Sequence, residues 1–306
     1  MLSRKVKSAM RYWKSGGPGY VAGITADRLV RQLRPVLPPL TYKSLRMRFL
    51  LGYWPSIRNP RSLNEKVAHR QLFAPHRLSP LVADKWRVRQ YIAERGLSHI
   101  LNEVYCVTNE PEKIPFDDLP EQFAIRANHG CGWNIFVTDK RALDRQKVVR
   151  QCREWLSLKY GRASRDYETH YDSIPPLILV ERYLHDERYG VPLDYKIDCF
   201  HGRALYIGVR RSGPSAPAYS RYDPSWNQLS FAKSRTYSTC VQFPRPAKLK
   251  TMLDVAERLS SGFDYCRVDL YLLNDEELLF GEITMNPDGG RNPILKEWDF
   301  RLGELW

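Results

Sequence analysis

Residues 267–290 constrain the fold most strongly, because they have the pattern of two short apolar strands that each carry one unexplained acid. The two acids are Asp269 and Glu282. The turn-forming pair Asn274-Asp275 separates the strands, so a β-hairpin would bring the acids side by side. Two carboxylates near strand centres repel each other unless a cation lies between them. A Mg²⁺ ion shared with nucleotide phosphates meets that requirement, and the alternative is an edge hairpin with both acids in solvent.

The overall composition predicts a folded chain with two domains, or one domain and a substantial second lobe. Its 306 residues are 43% hydrophobic and 12% aromatic, as is typical of globular proteins. The six cysteines are scattered without a C-x-x-C pair, so we expect neither a zinc site nor a disulfide framework, and a reducing compartment. No run approaches about 18 apolar residues, so we expect a cytoplasmic protein without a membrane span or secretory signal.

Positive charge is concentrated at the N-terminus. Residues 1–60 contain twelve Lys and Arg against one acid, Asp27, and so carry most of the net charge of +14. Four apolar residues there recur at helical spacing: Leu2, Val6, Met10 and Trp13. This pattern predicts a basic amphipathic helix within residues 1–15 that binds an anionic inner-membrane surface, with a solvated tail or a helix packed on the body as the alternatives. No nucleic-acid partner is expected, because no recognised binding module accompanies the charge.

Residue periodicity predicts a mixture of helices and strands along the rest of the chain. Helical patterns cover residues 83–95, 141–160 and 249–259, and a capping-box order begins another helix at Ser62-Leu-Asn-Glu-Lys66. Strand patterns cover residues 123–127, 134–137 and 177–180, and residues 194–209 have the pattern of a second hairpin. The turn-rich segment 212–234 is predicted to be a long loop. The predicted class is α+β.

Taken in order, these fragments resemble the ATP-grasp superfamily, most closely its TupA-like branch of teichuronopeptide and polysaccharide biosynthesis. The matching pieces are residues 62–66, 84–85, 89–91, 123–137, 180–184, 194–196, 200–202 and 267–290. The resemblance implies an ATP-grasp fold, in which two α+β lobes with antiparallel sheets clamp ATP, here preceded by the basic helical segment. The expected bounds are 1–75 for that segment, 76–184 for a lid lobe with a glycine-rich phosphate loop, and 185–306 for a C-terminal catalytic lobe with the metal site.

The resemblance also implies a set of nucleotide-binding residues. Gly130 and Gly132 would let backbone N–H groups approach a phosphate, Arg126 stands where the superfamily usually has a lysine, and Asp194 would hold the ribose. The alternatives without a nucleotide are an ordinary hairpin turn at Gly130 and Gly132 and a surface ion pair between Asp194 and Lys196 on one strand. The full set implied is Lys85, Arg126, His129, Gly130, Gly132, Glu181, Leu184, Asp194 and Lys196.

Asp269 and Glu282, the two acids of the hairpin 267–290, match the superfamily's metal-ligating positions. The implied Mg²⁺ ligands are Asp269, Glu282, Thr284 and Asn286, with Thr284 in place of the asparagine that many members carry. Arg267 would stabilise an oxyanion or acyl phosphate, and the backbone of Gly289 and Gly290 would donate to the substrate. These three are the implied catalytic residues.

The implied reaction is ATP-dependent formation of a carbon–nitrogen bond through an acyl phosphate. For this branch it implies attachment of an amino acid or other amine to a uronic-acid-containing cell-envelope polysaccharide, so the expected partners are an anionic polysaccharide or lipid-linked glycan precursor and an amine. Two alternatives stay open. One is a glycan kinase that uses the same nucleotide site. The other is a non-catalytic peripheral membrane or glycan-binding protein, which is suggested by arginine instead of the usual lysine at position 126.

Overall fold

Two antiparallel sheets organise the chain. The computed structural model describes residue 19 and residues 21–163, 166–212, 218–229 and 241–306. The amphipathic helix predicted within residues 1–15 lies outside this part of the chain. The described helices are α1 (21–32), α2 (Pro39–Leu51), α3 (Leu63–Leu72), α4 (Ser79–Ala83), α5 (Val88–Ala93), α6 (Arg145–Ser157), α7 (Tyr160–Ala163), α8 (Leu249–Ser260) and α9 (Lys296–Glu304).

The first sheet has the strand order β1-β4-β2-β3, with all neighbours antiparallel. Its strands are β1 (Val104–Thr108), β2 (Phe123–Ala127), β3 (Asn134–Val137) and β4 (Ile178–Arg182). Helix α6 covers one face, because Val148, Cys152 and Trp155 recur at helical spacing and bury against Phe123 and Val180. The short loop between β2 and β3 is therefore anchored on a packed layer.

The second sheet has the order β7-β6-β5-β8-β9 and is also antiparallel. Its strands are β5 (Asp194–Phe200), β6 (Arg203–Arg211), β7 (Ala218–Tyr222), β8 (Tyr265–Leu273) and β9 (Glu277–Thr284). Helix α8 packs Met252, Val255 and Leu259 on the alternate apolar residues of β5 and β8. That packing leaves the other face of these strands for polar and charged side chains.

Helices α3, α4 and α5 pack with the second sheet rather than with the first. The capping box at Ser62 and Glu65 starts α3 as predicted, and Leu63 and Val67 pack with Tyr265 of β8. Apolar residues of α4 and α5 are buried in the same core as α8. The domain bounds at 75/76 and 184/185 stay predictions.

Most predicted elements are confirmed, and one is wrong. Strands β2 and β3 have the predicted bounds, and both predicted hairpins form. The segment 212–234 is not only a loop, because β7 runs through it and pairs with β6. The prolines and serines around Ala218-Tyr-Ser-Arg-Tyr222 concealed a short strand whose aromatic residues suit an edge position. Within the part of the chain that the structure describes, no helix has the length and apolar character needed to cross a bilayer.

Candidate active site

A cavity of about 310 Å³ is lined by residues from both sheets. The turn between α4 and α5 contributes Lys85, the first sheet contributes Arg126 and Glu181, and Leu184 follows β4. The second sheet and the turn after β9 contribute Arg267, Glu282, Thr284 and Asn286. Eight of the predicted site residues therefore surround one space.

Lys85 is positioned by the buried acid that precedes it. The carboxylate of Asp84 accepts hydrogen bonds from Trp86 N (2.9 Å) and from the side-chain amide of Asn128 (2.9 Å), which ties the start of α5 to the end of β2. The ammonium of Lys85 donates to the carbonyl oxygen of Gly130. Burial, and then repulsion by Arg126, lowers the pKa of Lys85 to about 8. An anionic ligand in the cavity would restore the charged form.

Arg126 lies beside Glu181 on adjacent strands. Its Nη1 is 3.4 Å from Oε2 of Glu181, and its Nε donates to Oδ1 of Asn134 at 3.3 Å. Glu181 is almost fully buried, and Arg126 is about one quarter exposed toward the cavity. A guanidinium has five N–H donors, so Arg126 retains donors for a phosphate after making both contacts.

The predicted phosphate loop connects β2 to β3. Gly132 has a φ of +75° with open space around it, so the turn requires a glycine for its backbone conformation. His129 points instead into the core, with Nε2 3.0 Å from the carbonyl oxygen of Trp155 and Nδ1 3.1 Å from Oδ1 of Asn128. Neither His129, Gly130 nor Gly132 lines the cavity, and their contacts with a nucleotide stay predictions.

Asp269 and Glu282 are register partners across β8 and β9, as the hairpin pattern predicts. Asn274 and Asp275 have φ values of 51° and 60°, which is the paired left-handed conformation of a tight hairpin turn. The cation that the two acids require is supplied by the protein. Nε and Nη2 of Arg267 donate to the two carboxylate oxygens of Asp269 at 2.6 and 2.8 Å, and Nη2 is 3.4 Å from Oε1 of Glu282.

Asp269 is 2% exposed, and its carboxylate is also contacted by the ammonium of Lys196. Burial opposes its ionisation, yet Arg267 and Lys196 together hold the pKa of Asp269 below its usual range. Both of its oxygens are therefore engaged by cations. A metal ion would have to share them.

Three other side chains with oxygen ligands line the cavity and make fewer contacts within the protein. The carboxylate of Glu282 is 46% exposed and accepts a hydrogen bond from Oγ1 of Thr284 at 2.8 Å. Asn286 is buried, and its Oδ1 has no hydrogen-bond partner among the described residues. Carboxylate, hydroxyl and amide oxygens suit a hard cation that keeps several water or phosphate ligands. These residues fit Mg²⁺, although the described residues contain no cluster of three or more His, Cys, Asp or Glu that could hold a metal.

Asp194 and Lys196 share one face of β5, as their spacing predicts, and their side chains are 2.9 Å apart. Asp194 also binds Arg210 at 2.8 Å, and its buried Oδ1 has no hydrogen-bond partner within the described residues. Neither Asp194 nor Lys196 lines the cavity beside Lys85. The predicted ribose and phosphate contacts therefore stay predictions.

The Gly289-Gly290 turn is packed against the N-terminal helices. A Cβ at Gly290 would lie 2.5 Å from the carbonyl oxygen of Asn64 in α3, so the close approach requires a glycine. The two predicted backbone donors are used inside the turn, by Asn286 O at 3.0 Å and Pro287 O at 3.2 Å. The predicted donation to a substrate stays untested.

Sequence reasoning missed four residues before β4 that line the same cavity. Tyr160, Asp166, Glu168 and Tyr171 are among its lining residues. Burial, and then repulsion by Asp166, raises the pKa of Glu168 to about 7. The three tyrosines in the otherwise polar stretch 160–171 are a weak signal, and no spacing in the sequence relates Tyr160 or Tyr171 to the hairpin more than 90 residues later.

Comparison with known proteins places the chain in one family. A family model described as TupA-like ATPgrasp matches residues 65–306. No curated protein matches the chain. Among solved structures, the L-amino acid ligase of Bacillus licheniformis is 14% identical over 87% of this chain and 56% of its own, with a TM-score of 0.43. The D-alanine–D-alanine ligase of Bacillus anthracis, solved with ATP, is 14% identical over 68% of this chain and 56% of its own, with a TM-score of 0.40.

Proposed function

Because this chain belongs to the TupA-like ATP-grasp family and has the ATP-grasp fold, we propose that it is an ATP-dependent carboxylate–amine ligase. One observation carries the proposal. Lys85 and Arg126, which suit phosphates, line the same cavity as Glu282 and Asn286, which suit a divalent cation.

In the proposed reaction, the γ-phosphoryl group of ATP is transferred to a substrate carboxylate, which yields an acyl phosphate and ADP. The amine then attacks the carbonyl carbon, the bond from that carbon to the phosphate oxygen breaks, and inorganic phosphate and one proton leave. Lys85 and Arg126 hold the phosphates in line for transfer. When bound at Glu282, Thr284 and Asn286, Mg²⁺ supplies neutralisation of phosphate charge.

Arg267 has a positioning and electrostatic role in this proposal. Its guanidinium is fixed by Asp269 on one side and lines the cavity on the other. A cation that is already oriented stabilises developing oxyanion charge without reorganising during the reaction. Asp269 thus acts through Arg267, whether or not it also contributes an oxygen to the metal.

The proposed substrates are more specific than the family match alone implies. We propose that the carboxylate belongs to a uronic acid of a cell-envelope polysaccharide or its lipid-linked precursor, and that the amine belongs to an amino acid. The basic N-terminal segment supports an anionic glycan partner and a location at the inner membrane face.

The experiment is mass spectrometry of the envelope polysaccharide from cells with and without the gene. The proposal expects that amide-linked amino acid is present in the first sample and absent from the second. Loss of a phosphorylated sugar instead would identify a kinase, and identical polysaccharides would remove the proposed substrate.

A further inference from the structure

A second cavity of about 360 Å³ adjoins the first. The two cavities share Arg267, Asp288 and Arg291 in their walls. A molecule in the second cavity would therefore lie directly beside the hairpin that carries Glu282.

The wall of the second cavity is strongly basic. It contains two acids, Asp198 and Asp288, against six basic residues: Arg31, Lys196, Arg210, Arg221, Arg267 and Arg291. Such a concave surface concentrates positive potential and attracts oxyanions.

The charges belong to two alternating chains of ion pairs. In the first, Arg31 binds Asp27 (2.9 Å), Asp27 binds Arg46 (2.7 Å), and Asp166 joins Arg46 to Arg291. Three cations thus share two carboxylates, which leaves one positive charge in excess. The two ends of this chain, Arg31 and Arg291, both line the cavity.

The second chain has the same form on β5, β6 and β8. Arg210 binds Asp194 (2.8 Å), Asp194 binds Lys196 (2.9 Å), and Asp269 joins Lys196 to Arg267. The two acids are 5% and 2% exposed, so they lie behind the cations. All three cations of this chain line the cavity, whereas neither acid does.

Arg221 adds a sixth basic group from β7. It is buried, and its Nε donates to the hydroxyl of Tyr219 at 2.8 Å. The nearby carboxylate of Asp198 accepts a hydrogen bond from the hydroxyl of Tyr265 at 2.8 Å. A planar guanidinium held in this way suits bidentate binding of a carboxylate or phosphate.

We propose that the second cavity binds an oxyanion group, a carboxylate or a phosphate, carried by the substrate that reacts in the first cavity, and that Arg31 and Arg221 hold it. This inference rests on the proposed function, because it requires one substrate to span both cavities. Its oxyanion group would lie in the second cavity and its reacting carboxylate in the first. It also gives the N-terminal helices a part in the site. Arg31 and Leu50 line the cavity, although both precede the matched residues 65–306.

The test is titration calorimetry of the full chain with two probes, trigalacturonate and glucose 1-phosphate. Arg31→Gln and Arg221→Gln are compared with Arg28→Gln, a matched control in the same helix as Arg31 that does not line the cavity. Arg31→Gln leaves Asp27 paired with Arg46, so this variant should fold even if Arg221→Gln does not. A thermal melt of each variant checks folding.

We expect at least one probe to bind, and both cavity variants to weaken it about tenfold or more, since each removes a charge-assisted contact. The control should change the affinity less than about twofold. Preference for trigalacturonate identifies a carboxylate substrate, and preference for glucose 1-phosphate identifies a phosphorylated one. Failure of both probes to bind the wild type, or unchanged binding by Arg31→Gln, would overturn the inference. Binding of ATPγS is measured in parallel, because a wild type that does not bind it would refute the proposed function independently of the second cavity.

Discussion

Asp269 and Glu282 face each other across β8 and β9, but their environments differ sharply. The side chain of Asp269 is 3% exposed and bound by two basic side chains, whereas the side chain of Glu282 is 46% exposed and lines the first cavity. Neighbouring acids in different surroundings take on different tasks. We infer that Asp269 mainly holds Arg267 and Lys196 in place, and that Glu282 is the acid that would hold the proposed Mg²⁺.

The first prediction concerns stability. Asp269→Asn should lower the free energy of unfolding by about 3–5 kcal/mol, because it leaves two buried cations without their shared carboxylate. Urea denaturation followed by circular dichroism measures this change. Glu282→Gln should cost less than about 1 kcal/mol, because Glu282 is half exposed.

Asp254→Asn on the exposed face of α8 is the control for a carboxylate-to-amide change. It should leave the denaturation midpoint within experimental error of the wild type. Equal effects of Asp269→Asn and Glu282→Gln on stability would contradict the division of roles between the two acids.

The second prediction concerns pH. The pKa of Lys85 is lowered to about 8 in the free protein, so its ammonium is present below that pH and is lost as the pH rises through it. Phosphates bind the ammonium form. The affinity for ATPγS, measured by calorimetry from about pH 6.5 to 9.5, should therefore be constant at low pH and fall above about pH 8.

Lys85→Met should bind ATPγS more weakly and lose this pH dependence. Lys250→Met, at an exposed position in the first turn of α8, should retain it. An affinity of the wild type that does not vary across the range would show that Lys85 does not bind the phosphates.

The third prediction concerns the N-terminal helices. Arg46 is 1% exposed and joins Asp27 of α1 to Asp166 beside the cavity. Arg46→Met should destabilise the protein by about 3–5 kcal/mol, because Asp27 is 2% exposed and would lose a buried partner. It should also weaken ATPγS binding, since Asp166 lines the first cavity, where we propose that the nucleotide binds.

Arg48→Met is the matched control, two residues further along the same helix. It should change neither the melting temperature nor the affinity noticeably. Equal melting temperatures and equal ATPγS affinities of Arg46→Met and Arg48→Met would contradict the role of Arg46 as a buried link between Asp27 and Asp166.

Local patterns predicted much of the fold and of the cavity. Apolar and polar residues alternate around Asp269 and Glu282, with the turn Asn274-Asp275 between the two strands. This pattern predicts the register of the hairpin, because the turn and the two-residue period fix which residues oppose each other. The loop from β2 to β3 was predicted for the same reason. In both cases the determining residues are adjacent in the chain.

Contacts between distant parts of the chain were not predictable in this way. The sequence suggested a metal ion between the two acids, but Arg267 of the same strand contacts both of them. Lys196 reaches Asp269 through the pairing of β5 with β8. Asp166 and Arg291 are 125 residues apart and meet only because the two sheets are brought together. Charge networks of this kind depend on tertiary packing, and no local spacing encodes them.

The most direct measurement of the central claim is the affinity for ATPγS with and without Mg²⁺ in the wild type, Lys85→Met and Glu282→Gln. Calorimetry at about pH 7 should show Mg²⁺-enhanced binding by the wild type and weak binding by Lys85→Met under both conditions. Glu282→Gln should bind the nucleotide and lose most of the enhancement by Mg²⁺. Absence of nucleotide binding by the wild type, or the same Mg²⁺ enhancement in all three proteins, would contradict the account.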